Sequence, residues 1–371
     1  MTKIIHIISD SNIGGAGRCL VNYLRCHDRS RFDVSVILPR GSRLLPEIAA
    51  LQVPYLEADS IADRSFSPAG VRQLHRILRR KKPEIVHTHG SFSGRIAAKL
   101  CGSRIVYTRH SAFPVSPKLQ KGVFHRLNGW INGVFADTII AVSPAARDNL
   151  IESGISPRCI RLVGNGVQAL RPATEEQTRV LRASLGIPAG CFVAGYPARL
   201  EDYKGHDLLL EAAVRLKKAG RDFCILIAGR GAQEQRLRSR TEEMGLSEQV
   251  RFLGFVEDMP GFLSILDVQL NCSTLSEACS MAIIEGMSLG LPTIASRCSG
   301  NPWLVEDGVT GLLFENSDTV SLTNALATLM DAPDVRKSMG HAARDAYSRR
   351  FTGEIFAANL EQVYDEILNK K

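Results

Sequence analysis

Two kinds of apolar pattern alternate along the chain. Short continuous apolar runs lie at 4–8, 34–38, 85–87, 105–108 and 138–142. Runs of this length, rich in branched side chains and closed by turn residues, read as strands buried on both faces. Between them, apolar residues recur at helical spacing over 17–24, 68–80, 94–100 and 119–135. The second half repeats the scheme, with strands expected at 192–196, 223–228, 250–253, 268–271 and 293–295. Its helices are expected at 205–219, 232–244, 277–289 and 321–330. Strand–helix alternation repeated twice predicts an α/β chain of two doubly wound domains, each a parallel sheet covered by helices. The pattern lapses into turn residues over 165–172 (NGVQALRP), which reads as a linker between domains 1–165 and 166–350.

Composition agrees with this picture. A length of 371 residues suits two ordinary domains, each with its own core, and 44% apolar content without low-complexity tracts excludes a disordered chain. No run approaches the roughly 20 apolar residues of a spanning helix. The first ten residues are too short and polar for a signal peptide, so a cytoplasmic protein is expected. Nine cysteines lack paired spacing; several, such as Cys224 and Cys272, sit in apolar runs and read as reduced core residues.

Charge is uneven. Residues 1–165 carry 24 Lys+Arg against 11 Asp+Glu, and residues 166–371 carry 22 against 27. A first half at +13 points to an anionic partner. No nucleic-acid motif accompanies it, whereas a membrane surface fits two features. Arg72, Arg76, Arg79, Arg80, Lys81 and Lys82 follow one predicted helix. The segment 118–131 mixes Lys118, Lys121 and Arg126 with Phe124, Trp130 and Ile131.

The densest chemistry lies in 273–287 (STLSEACSMAIIEGM), where a polar loop becomes an apolar helix. Ser276, Glu277 and Ser280 favour a helix start, so the helix is expected to begin near Glu277. The amides of Ala278, Cys279, Ser280 and Met281 would then form a first turn suited to a phosphate. Glu285 would lie about 12 Å further along the axis. Hydroxyl acceptors at both ends of a phosphate site fit a nucleotide-sugar.

Other segments carry weaker signals. Ser11–Arg18 (SNIGGAGR) is a glycine turn between a strand and a helix, suited to phosphate approach or simply to a tight turn. Arg199 and Lys204 flank a loop after the first strand of the second half and could grip a diphosphate from two sides. His110 ends a strand, where it is either a packed core residue or a site residue. His87 and His89 also end a strand on one face. That spacing admits a metal, but no third ligand is evident, and His89 also reads as lining a cleft.

The segment 273–287, with 288–296 (SLGLPTIAS) and 305–314 (VEDGVTGLLF), resembles the acidic signature of the family 4 glycosyltransferases. The resemblance runs from Gly14 to the C-terminal helix. It implies the GT-B fold, two Rossmann-like domains facing across a cleft, with residues 351–371 forming a helix that returns to the first domain. Gly15 would line the donor diphosphate, while Arg199 and Lys204 stabilise the departing nucleoside diphosphate in place of a metal; no D-x-D signature is present. His110 would face the donor sugar, Glu277 hold its hydroxyls and Glu285 the ribose. Gly229 and Arg230 would border the nucleotide and Val256 the base.

The implied reaction is retaining, needs neither metal nor cofactor, and moves a sugar from a nucleotide-sugar, UDP-sugars first, to a hydroxyl. A lipid-linked glycan in polysaccharide or glycoconjugate synthesis is the expected acceptor, with the protein peripheral on the inner face of the plasma membrane. Ala278 stands where the family often has glycine, Trp303 where it often has glutamate, and Gln168 where aspartate is frequent. A small soluble acceptor, a nucleotide-sugar epimerase and a non-enzymatic glycan-binding protein are the competing readings.

Overall fold

The computed structural model describes residues 1–369. The chain divides into two compact units, residues 1–168 with 351–371, and residues 169–350.

The first unit opens with β1 (Thr2–Ile8), α1 (Gly15–Cys26), β2 (Phe32–Pro39), α2 (Leu45–Ala50) and β3 (Tyr55–Ala58). It continues through α3 (Pro68–Lys81), β4 (Ile85–His89), α4 (Phe92–Cys101) and β5 (Arg104–Arg109). Then come α5 (Pro117–Gln120), α6 (Gly122–Val134), β6 (Thr138–Ala141), α7 (Pro144–Glu152) and β7 (Ile160–Leu162). All seven strands pair in parallel, in the order β3-β2-β1-β4-β5-β6-β7.

The second unit runs α8 (Glu175–Ser184), β8 (Phe192–Pro197), α9 (His206–Lys218), β9 (Phe223–Ala228), α10 (Glu234–Glu243) and β10 (Val250–Gly254). It ends with α11 (Met259–Ser264), β11 (Val268–Asn271), α12 (Met281–Ser288), β12 (Thr293–Ser296), α13 (Asn301–Leu304), β13 (Gly311–Phe314), α14 (Thr319–Asp331) and α15 (Pro333–Arg350). Its six strands are ordered β10-β9-β8-β11-β12-β13. The last helix, α16 (Gly353–Leu368), belongs to the first unit.

Strand burial explains why these runs form sheets. β9 and β4 are buried along their full length, as interior strands of a sheet covered on both faces must be. In the first unit Ile4 and Ile8 point into one core with α1 and α16, while Ile5 and Ile7 point into another with α3 and α4. Helix α16 enters on a Thr352 cap, whose side chain accepts from the Ile355 amide. It lays Phe356, Leu360, Val363, Tyr364 and Ile367 against Leu20, Tyr23 and Leu24 of α1. Asp365 pairs with Arg31 at 2.6 Å, and Glu361 accepts from the Asp28 amide at 2.8 Å.

Two expected helices differ. The run 119–135 is interrupted at Gly122, which adopts φ +81°, a left-handed conformation that glycine takes without strain. It therefore forms two helices, α5 and α6, instead of one. The helix expected at 277–289 begins only at Met281, with Ser280 as N-cap accepting from the Ile283 amide. Glu277 through Cys279 lie in the preceding loop, so Glu277 and Glu285 are not two points on one helix.

In a doubly wound sheet the strand order reverses direction at one place, and the loops leaving the strand ends there diverge to open a crevice. That place is between β1 and β4 in the first unit and between β8 and β11 in the second.

Candidate functional site

In the second unit the loops after β8 and β11 meet at the reversal point. A single 3-10 turn, Asp202–Lys204, ends on Gly205 with φ +68°. A Cβ at Gly205 would sit 2.1 Å from the Cys272 carbonyl oxygen, so both conformation and contact demand glycine. Tyr196 of β8 donates its hydroxyl to the Lys204 carbonyl at 2.6 Å, and the Thr274 amide donates to Tyr203 at 2.8 Å. The Lys204 carbonyl is thus anchored by the Tyr196 side chain, and its loop is tied to the β11 loop through Tyr203.

Its ammonium reaches Glu277 Oε2 at 2.6 Å, with side-chain exposures of 13% and 14%. The same oxygen accepts from Ser273 Oγ at 3.1 Å and Asn271 Nδ2 at 3.2 Å. The pair is mostly removed from water, and these extra donors offset the cost of desolvating the carboxylate. All three bonds fall on Oε2, which leaves Oε1 without a protein partner among the described residues. Lys204 directs its ammonium at Glu277 and, at 3.4 Å, at Ser273, leaving one of its three N–H donors for another group.

A buried polar web supports this pair. Asn271, at the end of β11, also donates to Ser280 at 3.3 Å and accepts from the Ser273 amide at 3.2 Å. Asn301 donates to the Ser296 carbonyl at 3.2 Å and to Asn271 Oδ1 at 3.4 Å. Gly300 donates its amide to the Glu277 carbonyl at 2.8 Å and leaves no room for a Cβ, which would lie 1.9 Å from the Ala278 carbonyl oxygen. Asn271, Ser273, Asn301 and Gly300 were not anticipated from the sequence. The signal available was an asparagine closing the apolar run 268–271.

The remaining predicted residues of this unit surround the same strand ends. Arg199 is exposed and donates to the Tyr203 hydroxyl at 2.6 Å, four residues on in the same loop. Gly229 follows β9, donates to the Gly254 carbonyl at 2.7 Å, and would place a Cβ 1.9 Å from the Ala198 carbonyl oxygen. Arg230 is exposed, and its carbonyl accepts from Leu200 at 3.0 Å. Val256 is half-buried in the loop after β10. Ala278, Cys279 and Ser280 are buried, Met281 is half-buried at the start of α12, and Glu285 is half-buried in its second turn.

In the first unit, Gly15 opens α1 after the Gly14 N-cap. It is exposed, and beyond its chain neighbours and the backbone of α1 no atom lies within 4 Å of where its Cβ would be. At the ends of β1, β4 and β5, Ser9, Asp10, Asp63, His89, Arg109 and His110 line a cavity of about 480 Å³. His110 Nε2 lies 2.9 Å from His89 Nδ1, and His89 Nε2 lies 3.0 Å from His6 Nδ1. Burial pushes His110 down to about 4 and His6 down to about 3, and it holds His87 and His89 well below the ordinary histidine range.

His6 corrects the expectation that His87 and His89 have no third neighbour. Parallel pairing sets His6 opposite His87, and His6, His87 and His89 bring ligand-capable nitrogens within 4.8 Å of one another. Their geometry does not suit an ion. The rings of His87 and His89 stack at 4.5 Å and those of His6 and His89 at 5.3 Å, and the nitrogens are spent on one another, on Tyr364 and on Thr108. Stacked rings do not converge their lone pairs on one tetrahedral centre.

Among known proteins, the description "Glycosyltransferase Family 4" matches residues 13–169 and "Glycosyl transferases group 1" matches residues 177–346. The lipopolysaccharide core biosynthesis glycosyltransferase LpsD of Rhizobium meliloti is 27% identical over 372 residues, covering all of both chains. The putative glycosyltransferase EpsD of Bacillus subtilis is 25% identical, covering 86% of this chain and 87% of its own. The crystal structure of Anabaena HepE in complex with UDP-glucose superposes with a TM-score of 0.85 at 22% identity, covering 99% of this chain and all of the other. The two matched segments together span both units, and the chain belongs to the family 4, group 1 glycosyltransferases of the GT-B fold.

Proposed function

We propose that the chain is a retaining, metal-independent transferase that moves a sugar from a UDP-sugar to a hydroxyl acceptor. The observation that carries this reading is the Lys204–Glu277 pair at the reversal point of the second sheet. Lys204 offers a pre-placed cation with a spare donor, and Glu277 offers an acceptor oxygen, Oε1, beside it. Arg199 adds a second cation at the mouth of the same loop. A diphosphate beside these cations needs no further positive charge to leave, so the protein supplies positioning and charge stabilisation. A donor that binds there would meet Glu277 through its sugar hydroxyls and Glu285 through its ribose. The HepE complex with UDP-glucose supports a UDP-sugar as the donor.

Transfer assays with a panel of UDP-sugars test the proposal. Turnover is expected to persist in excess EDTA, whereas an absolute need for magnesium or manganese overturns the metal-free part.

Features of the first unit support a lipid-linked acceptor. Val123, Phe124, Leu127 and Trp130 of α6 are exposed by 77%, 61%, 44% and 65%, at spacings that set them along the helix. Lys118, Lys121 and Arg126 flank them. Helix α3, with its exposed Arg72, Arg76, Arg79, Arg80, Lys81 and Lys82, packs on α4, and Arg95 of α4 donates to Asn132 of α6 at 2.8 Å. Large apolar side chains framed by cations suit the interface of an anionic membrane, where each basic residue contributes about 1 kcal/mol. A lipid-linked acceptor would be presented at such a surface. Among the described residues no helix is long and apolar enough to cross a membrane.

Binding to anionic vesicles is expected at low salt, fading at high salt. It should fall when Phe124 and Trp130 become glutamate, or when Arg79, Arg80, Lys81 and Lys82 do. No binding at low salt would favour a small soluble acceptor.

A further inference from the structure

The charges in the cavity of the first unit are unevenly placed. Asp10 follows β1, and Asp63, in the loop after β3, reaches the same end, its amide donating to the Ser9 carbonyl at 2.7 Å. Arg109 ends β5. Strand β4 lies between β1 and β5, so the two ends stand two strand spacings, about 10 Å, apart at the backbone. His89 and His110 are neutral and add no charge.

At the β1 end, acceptors remain. Asp63 takes the Ser11 amide on Oδ1 at 3.0 Å and the Ser11 hydroxyl on Oδ2 at 2.6 Å, and these bonds hold its carboxyl below the ordinary range. Asp10 takes the Asn12 amide on Oδ1 at 2.9 Å, and its Oδ2 has no protein partner among the described residues.

At the β5 end, cations lack carboxylates. Arg109, half-buried, donates from Nε to the Ser111 carbonyl at 3.1 Å and from Nη2 to Asn149 Oδ1 at 3.2 Å. Asn149 is buried and fixed in turn, donating to the Phe113 carbonyl at 2.6 Å. Both partners of Arg109 are neutral, and three of its five N–H donors remain. Arg95 of α4 is 8% exposed, lies 4.5 Å from the centre of the Tyr107 ring, and bonds the neutral Asn132. Its Nε is buried without a partner. Tyr107 and Arg109 lie two apart on one face of β5, so the two guanidiniums flank the same stretch of strand. Neither is paired with a carboxylate among the described residues. A pinned cation without a counter-charge favours an anion, the more so where protein displaces water.

We propose that this cavity, about 480 Å³ and lined wholly by the first unit, takes a sugar that bears an anionic group, carboxylate or phosphate. Arg109 contacts the anion, the charge of Arg95 adds to its attraction, and Asp10 accepts from ring hydroxyls. The volume suits one small ligand. A carboxylate marks a sugar acid, and a phosphate marks a sugar phosphate ester. That this ligand is the acceptor of transfer rests on the transferase reading; the preference for an anionic sugar does not.

Ligand-observed NMR titrations of the full chain, without nucleotide, test this. The probes are glucuronate, galacturonate, glucose 1-phosphate and galactose 1-phosphate, each against glucose or galactose. At least one anionic sugar is expected to bind about tenfold more tightly than its neutral counterpart, the scale of one charge-assisted hydrogen bond. Preference for the sugar acids assigns a carboxylate, and preference for the phosphates assigns a phosphate. The preference should shrink at high salt. Arg109→Gln should remove it, while neutral-sugar binding and the dissociation constant of UDP stay within about twofold. Arg109→Lys, which keeps the charge without the planar fork, should retain part of it.

Equal binding of anionic and neutral sugars overturns the proposal. So does an Arg109→Gln variant that keeps the preference, or one that weakens neutral and anionic sugars alike, as a merely structural role would. An equal loss of UDP affinity in that variant assigns Arg109 to the nucleotide and also overturns it. Failure to transfer sugar from any donor refutes the transferase reading while leaving the binding test intact. Should Arg109→Gln fail to fold, the wild-type preference and Arg109→Lys decide.

Discussion

Lys204→Ala is expected to lower turnover about 10²-fold or more, the scale on which removing one pre-placed charge stabiliser acts in other enzymes. Lys204 is held by Tyr196 on its carbonyl and by Glu277 on its ammonium, whereas Arg199 of the same loop is exposed and bonds the Tyr203 hydroxyl instead. The substitution also leaves the Glu277 carboxylate mostly buried with only Ser273 and Asn271 as donors, a loss of about 1–3 kcal/mol in stability. These two effects separate in the pair Lys204→Met with Glu277→Gln. There the unpaired charge is gone, so the melting temperature should recover while turnover does not. Arg199→Ala, on an exposed side chain of the same loop, should lose turnover on the same order without the stability loss. Near-normal turnover in both single variants contradicts the diphosphate assignment.

Glu277→Gln is expected to abolish most transfer while free UDP still binds. The amide oxygen of glutamine can replace Oε2 and accept from Lys204, Ser273 and Asn271, so the web beneath stays satisfied. The amide nitrogen then occupies the place of Oε1 and presents donors where a sugar hydroxyl needs an acceptor. Transfer should fall about 10²-fold, and the dissociation constant of UDP should change by about threefold at most, under 1 kcal/mol. Glu285→Ala should show the opposite split, weakening UDP itself. Calorimetric titration of UDP into both variants checks this, and equal losses in the two contradict the division of roles.

The interior strands were legible in the sequence because burial on both faces writes itself as an unbroken apolar run, as in β9 (FCILIA). Of the four edge strands only β10 was; β3 (YLEA), β7 (IRL) and β13 (GLLF) are short and only partly buried, and they escaped notice. The start of α12 was misplaced by four residues for a tertiary reason. Ser276 and Glu277 have the composition of a helix start, but Glu277 is drawn to Lys204, 73 residues earlier, and Ser280 takes the cap. Lys204, Arg199, Glu277 and Glu285 were found because they sit in local motifs. His6 was not, because a single histidine in an apolar strand gains meaning only through its pairing with β4, some 80 residues away. Asn271 and Asn301 escaped because each is an isolated polar residue: Asn271 acts through Glu277 and Ser280, six and nine residues on, and Asn301 reaches Asn271, 30 residues back.

The measurement that bears most directly on the central claim is the anomeric configuration of the first product, read by proton NMR during transfer from an α-linked UDP-sugar in excess EDTA. The account predicts an α-linked product formed at an undiminished rate. A β-linked product, or no product until a divalent cation is added, would contradict it.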